Sequence, residues 1–143
     1  MSDIVCPACS AVNRVPPDKP AREAKCGKCH APLFDGRPVA LTAENFSKHI
    51  VRNSIPVVVD FWAGWCGPCK TMAPEFHKAA DVLEPNVRFA KLDTEAAQDV
   101  AAAHNIRSIP TMILFRGGRE IARQSGAMGA GHIVQWLREN LSG

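Results

Sequence analysis

The sequence predicts an α/β fold, a mixed central sheet flanked by helices, preceded by a small metal-stabilised domain. From residue 42 onward, apolar strand-like runs alternate with segments of helical periodicity, the pattern of a sheet covered by helices. The first 36 residues are instead rich in Cys, Pro, Lys and Arg and poor in large aliphatic residues, so burial alone cannot hold them together. We therefore place a boundary near Gly36 to Pro38, with a zinc-ribbon-like domain at 1–36 and a second domain at 37–143.

The first predicted elements of the second domain are a helix and a central strand. Thr42 is placed to cap a helix whose apolar residues Phe46, Ile50 and Val51 fall at helical spacing. Residues 55–62 form an apolar run without alternation, which is expected of a strand covered on both faces.

A helix, a strand and a further helix are predicted next. The helix covers Cys66 to about Leu83, and Pro74 in its interior predicts a kink or a break. Residues 86–92 alternate in the manner of a strand, and the Ala-rich residues 94–104 predict a helix.

The last third of the chain predicts a hairpin and a closing helix. Two strands, 111–115 and 120–124, are joined across Gly117 and Gly118, a hairpin signal. The final helix, 132–141, carries its apolar residues on one face. These residues are Ile133, Trp136, Leu137 and Leu141.

Composition and charge exclude several classes of protein. Apolar residues make up 46% of the 143 residues, which is enough for a buried core. The formal net charge is only +3, so we expect no binding of nucleic acid or membrane surfaces. The first residues lack the basic start and apolar stretch of a signal peptide, and no run approaches membrane-spanning length. We therefore expect a cytoplasmic monomer, in which paired cysteines are ligands or catalysts rather than structural bridges.

Six cysteines occur as three pairs of the form Cys-x-x-Cys. The pairs are Cys6/Cys9, Cys26/Cys29 and Cys66/Cys69. The spacing between the first two pairs is that of a four-thiolate ribbon, and we expect them to hold one structural zinc ion. Residues 26–30 also match the pattern of covalent c-type haem attachment. That interpretation requires export and leaves the first pair without a role, so zinc is favoured.

The third pair, Cys66 and Cys69, is interpreted as a redox dithiol. It follows the apolar strand 55–62 through a turn that opens a helix, which places Cys66 at a helix N-terminus. There, unpaired backbone N–H groups and the helix dipole favour the thiolate, the attacking species in disulfide exchange. Cys69 lies one helical turn further and can attack a mixed disulfide at Cys66.

Asp60 interrupts the apolar strand with a carboxyl group that is costly to bury in its ionised form. Desolvation should raise its pKa, and a carboxyl group with a raised pKa suits the acceptance of a proton from Cys69. The alternative is an aspartate that points to solvent. Pro110 follows Ile109 at the start of a strand, a position compatible with a cis peptide bond and also with an ordinary loop proline.

Three segments resemble the thioredoxin family closely: Val58-Val59-Asp60-Phe61-Trp62-Ala63, Trp65-Cys66-Gly67-Pro68-Cys69-Lys70 and Ile109-Pro110-Thr111. The resemblance extends roughly over residues 42–141. With the four-cysteine segment added, the chain resembles the zinc-containing bacterial subclass called thioredoxin 2. The resemblance implies a thioredoxin fold with a small N-terminal zinc ribbon.

The resemblance also implies roles for individual residues. The residue matching Cys66 attacks a substrate disulfide, the one matching Cys69 resolves the mixed disulfide, and the one matching Asp60 moves protons. Lys91 matches a lysine near that aspartate, although a solvated strand lysine is an equal alternative, and Pro110 matches a cis-proline that faces the dithiol. The residues expected to contact substrate are Trp65, Gly67, Pro68, Ile109, Gly126 and Ala127.

Our leading hypothesis is a cytoplasmic protein-disulfide reductase, an electron-transport protein with a thioredoxin reductase and disulfide-containing clients as partners. That reductase would contain flavin and use NADPH. A competing hypothesis is a zinc-dependent binding module, such as a chaperone or adaptor, without turnover. An oxidant or isomerase is disfavoured because the spacer Gly67-Pro68 adds no positive charge beside the thiolate. We also hypothesise that the four-cysteine site is oxidisable and releases zinc as its thiolates form disulfides.

The remaining aromatic and histidine residues are assigned structural positions. We expect Trp62 and Trp136 to pack in the core. Four histidines without an evident partner are expected at the surface: His49, His77, His104 and His132.

Overall fold

The computed structural model describes residues 1–141, so the last two residues of the predicted second domain lie outside the described range. The N-terminal segment contains an antiparallel hairpin of β1 (Ser2–Val5) and β2 (Val12–Val15), followed by a short 3₁₀ turn at Ala21–Glu23. The remaining elements are β3 (Val39–Leu41), α1 (Phe46–Arg52), β4 (Val57–Trp62), α2 (Gly67–Leu83), β5 (Arg88–Asp93), α3 (Gln98–Ala103), β6 (Thr111–Arg116), β7 (Arg119–Ser125) and α4 (Ala130–Leu141).

The larger part of the chain is built on one five-stranded mixed sheet with the strand order β3-β5-β4-β6-β7. β5 runs parallel to β3 and β4, whereas β6 is antiparallel to β4 and β7 is antiparallel to β6. β4 is the central strand, as its apolar run predicts, and the predicted mixed sheet flanked by helices is confirmed.

Both faces of this sheet are covered by helices, which explains why β4 shows no polar alternation. Val58 packs with α2 and α4 in one buried cluster, whereas Val57 and Val59 pack with α1 in a second cluster. A strand that alternates between two apolar clusters has no face left for water. The predicted hairpin is also confirmed, because Gly117 and Gly118 connect β6 and β7, both with positive φ.

Several local predictions need correction. α2 is continuous through Pro74, so the predicted break is wrong, whereas the kink stays a prediction. Pro74 lies on an exposed face where the carbonyl group it leaves unpaired can bind water. α3 begins only at Gln98, because the side chain of Asp93 accepts hydrogen bonds from the next backbone N–H groups and holds residues 94–97 as a turn. Val51 is 50% exposed and does not belong to the apolar face of α1.

The start of α1 also differs from the predicted cap. The helix begins at Phe46, and Thr42 lies one turn earlier. The Thr42 backbone N–H donates to Asn45 Oδ1 at 2.7 Å, and the Asn45 backbone N–H donates to Thr42 Oγ1 at 3.2 Å. Thr42 therefore stabilises the turn that leads into the helix rather than the first helical turn itself.

Of the four histidines expected at the surface, His49 is buried and His104 is half-buried. His49 is fully buried, and its Nε2 atom lies 3.3 Å from Ser10 Oγ. His104 packs against three phenylalanine rings, with its ring centroid 5.2 Å from that of Phe46. His77 and His132 are exposed, as expected. Trp136 packs at the edge of the core, whereas Trp62 is only half-buried.

Arg88, at the start of β5, connects the sheet to the N-terminal segment. Its side chain is 1% exposed, and Nη2 donates hydrogen bonds to the carbonyl oxygens of Leu33 at 2.7 Å and Val5 at 3.3 Å. The guanidinium carbon lies 4.3 Å from the centroid of the Phe34 ring, and Nη1 lies 3.8 Å from Glu84 Oε1. A cation of the sheet domain is thus inserted into the small core of the N-terminal segment.

Further contacts join the N-terminal segment to the ends of α1 and α2. The Val5 backbone N–H donates to Asn53 Oδ1 at 2.8 Å. The Gly36 backbone N–H donates to Glu84 Oε2 at 3.1 Å, and Arg22 donates to the carbonyl oxygen of Glu84. Because these contacts lie beyond the C-termini of both helices, the segment packs at the end of the sheet where β4 begins.

Candidate active site and candidate metal centre

Cys66 and Cys69 form a disulfide at the N-terminus of α2. Cys66 is the N-cap residue, and its Sγ accepts a hydrogen bond from the backbone N–H of Cys69 at 3.2 Å. A helix N-terminus directs unpaired N–H groups and the positive end of the dipole toward this sulfur, which stabilises negative charge on it. The spacer residues Gly67 and Pro68 are exposed, whereas both cysteines are buried.

An open pocket of about 480 Å³ borders Cys66. One side is formed by Trp65, which is 70% exposed and donates from Nε1 to Glu95 Oε1 at 2.7 Å. Ile109 lies on another side, with its carbonyl oxygen 3.7 Å from Cys66 Sγ. The structure thus brings four predicted contact residues to the sulfur of Cys66. They are Trp65, Gly67, Pro68 and Ile109.

The loop opposite the disulfide is held by backbone contacts. The Ile109–Pro110 peptide bond is cis. The carbonyl oxygen of Pro110 accepts a hydrogen bond from the Gly126 backbone N–H at 2.9 Å, and Gly126 has a φ of +97°, which favours glycine. Ala127 is exposed beside Gly126 but does not line the pocket at Cys66.

Asp60 lies in the central strand and is 4% exposed, so the solvent-pointing alternative is wrong. Burial raises the pKa of its carboxyl group to about 7, although the positive charge of Lys91 opposes this rise. Its Oδ1 atom is buried, and none of residues 1–141 forms a hydrogen bond with it. Asp60 and Cys69 line one pocket of about 330 Å³, which Trp62 and Lys91 also border.

Lys91 is the residue paired with Asp60 in the register of β4 and β5, but its side chain is exposed. Its Nζ lies 5.8 Å from the centroid of the Trp62 ring. In the described part of the chain, no hydrogen bond or ion pair joins Lys91 to Asp60. The lysine therefore acts on the carboxyl group through its charge and not through direct contact.

Sequence reasoning missed a hydroxyl network behind the loop at Pro110. Thr111 Oγ1 donates to the carbonyl oxygen of Ser108 at 2.7 Å and lies 3.0 Å from Ser125 Oγ. Thr111 and Ser125 face each other in the register of β6 and β7. No local pattern reveals this contact, because it depends on the strand pairing. Glu95, the partner of Trp65, was missed for the same reason.

The four N-terminal cysteines form one cluster, in which all sulfur atoms lie within 4.8 Å of one another. The Cys6 and Cys29 sulfurs are 3.6 Å apart, as are those of Cys9 and Cys26. Four thiolates around zinc at about 2.3 Å place the sulfurs about 3.8 Å apart, so this donor set fits a tetrahedral ion.

The surroundings of the cluster support thiolate ligands. The Ala8 and Lys28 backbone N–H groups donate to the sulfurs of Cys6 and Cys26 at 3.3 and 3.4 Å. The Cys29 backbone N–H lowers the pKa of Cys26 to about 5. Burial raises the pKa of Cys6 to about 12, so a bound cation is what would keep this sulfur a thiolate at neutral pH.

Comparisons with known proteins cover both parts of the chain. The family model described as "Thioredoxin" matches residues 37–139, and the model described as "Thioredoxin 2, N-terminal" matches residues 5–31. Thioredoxin C-3 of Corynebacterium nephridii is 48% identical over 138 residues, which are 96% of this chain and 94% of that protein. Thioredoxin C-2 of the same organism is 36% identical over 72% of this chain and 95% of its own length.

A chloroplastic relative matches a similar share of this chain. The chloroplastic M-type thioredoxin of Chlamydomonas reinhardtii is 37% identical over 72% of this chain and 74% of its own length.

Among the described residues, none of the helices has the length and apolar character needed to cross a bilayer.

Proposed function

The chain belongs to the thioredoxin family of oxidoreductases, and from this premise we propose that it reduces disulfide bonds of client proteins through Cys66 and Cys69. One observation carries the proposal: the two cysteines of a single disulfide border different pockets. Cys66 borders the open pocket beside Trp65, whereas Cys69 borders the pocket of Asp60. One sulfur is therefore placed for a client and the other for a proton acceptor.

The reaction begins from the reduced dithiol. The Cys66 thiolate attacks one sulfur of the client disulfide, forms a mixed disulfide, and releases the second client sulfur as a thiolate. The Cys69 thiolate then attacks Cys66 Sγ, which restores the disulfide within the chain and releases the first client sulfur. Two electrons pass from the chain to the client. The N-cap position of Cys66 supports its role as the attacking residue.

Asp60 accepts the proton that Cys69 loses during the second step. Its buried position and its pKa of about 7 support this role, because a base is most effective when its pKa lies near the working pH. Lys91 tunes the proton affinity of Asp60 by its charge. This division assigns nucleophilic chemistry to one cysteine and acid–base chemistry to the surroundings of the other.

The client binds as an extended peptide along the loop that contains Ile109 and Pro110. The closeness of the Ile109 carbonyl oxygen to Cys66 supports this mode, since backbone groups beside the sulfur can pair with a client strand. Trp65, Gly126 and Ala127 complete the docking surface. An NADPH-dependent thioredoxin reductase returns the oxidised chain to the dithiol, and the reaction takes place in the cytoplasm.

The four-cysteine cluster binds one zinc ion with a structural role. Its four sulfurs would fill a tetrahedral site and leave no position for water, and a closed site of this kind does not catalyse reactions. The zinc-ribbon domain comprises residues 1–36, and the thioredoxin domain comprises residues 37–143.

The proposal is tested by the reduction of insulin disulfides with NADPH and thioredoxin reductase. We expect turnover with the native chain and loss of turnover with Cys66→Ser, because a hydroxyl group cannot attack the disulfide under these conditions. Circular dichroism establishes that both chains are folded. Equal inactivity of the two chains toward insulin and other disulfide substrates would rule the proposal out.

A further inference from the structure

We propose that a second copy of this chain is a substrate of the dithiol: Cys66 and Cys69 of one molecule reduce the disulfide-bonded cysteine cluster of another. This inference rests on the proposed reductase function. Both surfaces that would meet lie on this chain: the pocket beside Cys66 on one copy and the exposed loop 27–30 on the next.

The dithiol and the cysteine cluster lie at opposite ends of the sheet. Cys66 follows the C-terminal end of β4, whereas the N-terminal segment contacts the sheet at Arg88, at the opposite end. α2 connects the two ends, and its 17 residues span about 25 Å. Residues beyond its C-terminus, such as Glu84, already contact the N-terminal segment.

The cluster cannot swing toward the dithiol of its own molecule while this packing persists. Val5, directly before Cys6, is fixed by hydrogen bonds to Asn53 and Arg88. The sulfur of Cys29 lies within the cluster, 3.6 Å from that of Cys6. Reaction between the two sites therefore requires a second molecule.

The loop 27–30 is the accessible part of the cluster. All four of its residues are exposed, including Cys29, whereas Cys6 and Cys26 are buried. A disulfide that includes Cys29 would thus expose a sulfur to an attacking thiolate. In the partner molecule, the pocket beside Cys66 is open and bordered by the exposed Trp65.

One pair of opposite charges can form between the two surfaces, although Arg107, which also borders the pocket beside Cys66, adds a positive charge there. Lys28 lies in the exposed loop next to Cys29. The indole N–H of Trp65, which borders the pocket beside Cys66, donates a hydrogen bond to the exposed carboxylate of Glu95. When the loop 27–30 approaches the pocket beside Cys66, Lys28 comes close to this carboxylate. The attraction between the two charges is screened by salt.

The steps balance in atoms and electrons. A peroxide oxidises one cluster thiolate to a sulfenic acid, which condenses with a neighbouring thiol to form a disulfide and water. Cys66 of another molecule then attacks the sulfur of Cys29, and the sulfur of Cys6 leaves as a thiolate. Cys69 attacks Cys66, which releases Cys29 as a thiolate. The cluster gains two electrons and regains the thiolates that a metal ion requires.

The substrate for the test is the full chain with Cys66→Ser and Cys69→Ser, freed of metal with a chelator and oxidised with hydrogen peroxide. Reduced native chain is added in substoichiometric amount, with NADPH and thioredoxin reductase. We expect the thiol count of the substrate to rise and zinc binding to return, at least about tenfold faster than with the reductase alone. The initial rate should be proportional to the concentration of native chain.

Insulin reduction under the same conditions distinguishes failure of this inference from failure of the proposed reductase function. If insulin is reduced but the thiol count of the oxidised cluster does not rise above the reductase-alone rate, this inference is wrong and the reductase proposal stands. If neither is reduced, both fall together. Native chain carrying Cys66→Ser is the matched control and should give no recovery.

A trapping experiment identifies the sulfur that is attacked. The Cys69→Ser chain cannot resolve a mixed disulfide, so it should form a covalent dimer with the oxidised substrate. Peptide mass spectrometry should find a link between Cys66 and Cys29. Capture of insulin without any link to a cluster cysteine would overturn the inference.

The requirement for a second molecule is tested separately. In a native chain with a reduced dithiol and an oxidised cluster, the half-time of cluster reduction should shorten as the protein concentration rises. A half-time that does not depend on concentration would mean that the reaction occurs within one molecule, and the inference would be abandoned.

Discussion

The carboxyl group of Asp60 is held among apolar side chains of the central strand, and this position controls its affinity for a proton. Burial raises its pKa from 3.8 to about 7, and the nearby charge of Lys91 limits the rise. At pH values between 3.8 and about 7, the folded chain therefore binds more protons than the unfolded chain. Stability must fall as the pH rises through this window, because ionisation of the buried group then opposes folding.

Replacement of Asp60 by asparagine should remove this pH dependence. We expect Asp60→Asn to be more stable than the native chain at pH 8, by up to about 4 kcal/mol, with little difference below the lower pKa. Urea denaturation of the oxidised chains across this range measures the effect. The exposed Asp18 provides a control, since Asp18→Asn should leave the pH profile unchanged. A variant less stable than the native chain at pH 8 would contradict the explanation.

Single residues also show which side chains could be predicted from local pattern. Cys66 at a helix N-terminus follows from a strand, a turn and a helix in direct succession. The burial of His49 and the half-buried position of His104 could not be predicted, because their neighbours Ser10 and Phe115 come from distant parts of the chain. Histidine is common both inside and outside proteins, so its residue type does not decide between these positions.

At the scale of elements, the contact between β5 and the N-terminal segment depends on one buried cation. Arg88 donates to two backbone carbonyl groups and lies beside Glu84, whose pKa is raised to about 7 mainly by burial. Loss of the guanidinium would remove the donor of both carbonyl groups and the positive charge beside the Glu84 carboxyl group, which would keep its hydrogen bond from Gly36. Groups of this kind are costly to leave unpaired inside a protein.

We expect Arg88→Met to lower the free energy of unfolding by about 3 to 5 kcal/mol. Guanidinium denaturation measures the change, and insulin reduction should continue wherever the variant is folded, since Arg88 lies far from Cys66. Arg14→Met is the matched control. Its guanidinium is exposed and lies 3.8 Å from Asp3, so the change should stay below about 1 kcal/mol. Similar effects of the two variants would contradict a special role for Arg88.

The strands show why some elements could be predicted and others could not. β4 and the hairpin of β6 and β7 have clear signals, a continuous apolar run and a pair of glycines. β3 has only three residues and was missed, as was the hairpin of β1 and β2. Short strands form because a neighbouring strand offers hydrogen-bond partners, and their own sequence carries little periodicity.

For the whole molecule, the metal site and the reductase site should respond differently to removal of metal. A chelator should lower the melting temperature and speed amide hydrogen exchange in residues 5–33 more than in β4, because it would remove the ion that we propose to link the four clustered sulfurs. Insulin reduction should change little, since the dithiol lies at the other end of the sheet. Hydrogen exchange and activity measured on the same sample test this.

Zinc should restore the exchange pattern when it is added back, whereas magnesium should not, because thiolates favour zinc over a hard cation. Unchanged exchange in residues 5–33 after complete removal of metal would contradict the stabilising role of the ion. A parallel loss of insulin reduction would show that the two sites are energetically coupled across the sheet.

The order and spacing of residues are enough to predict the fold class, the central strand and the division of six cysteines into a cluster of four and a redox pair. These depend on spacing along the chain, which local geometry converts directly into structure. Three features are visible only in the folded chain: Cys66 and Cys69 border different pockets, Asp60 is buried, and Arg88 holds the N-terminal segment far from the dithiol. These features arise from packing between residues that are distant in sequence. This packing sets the pKa of buried groups, the access of other molecules to each sulfur and the distance between the two cysteine sites.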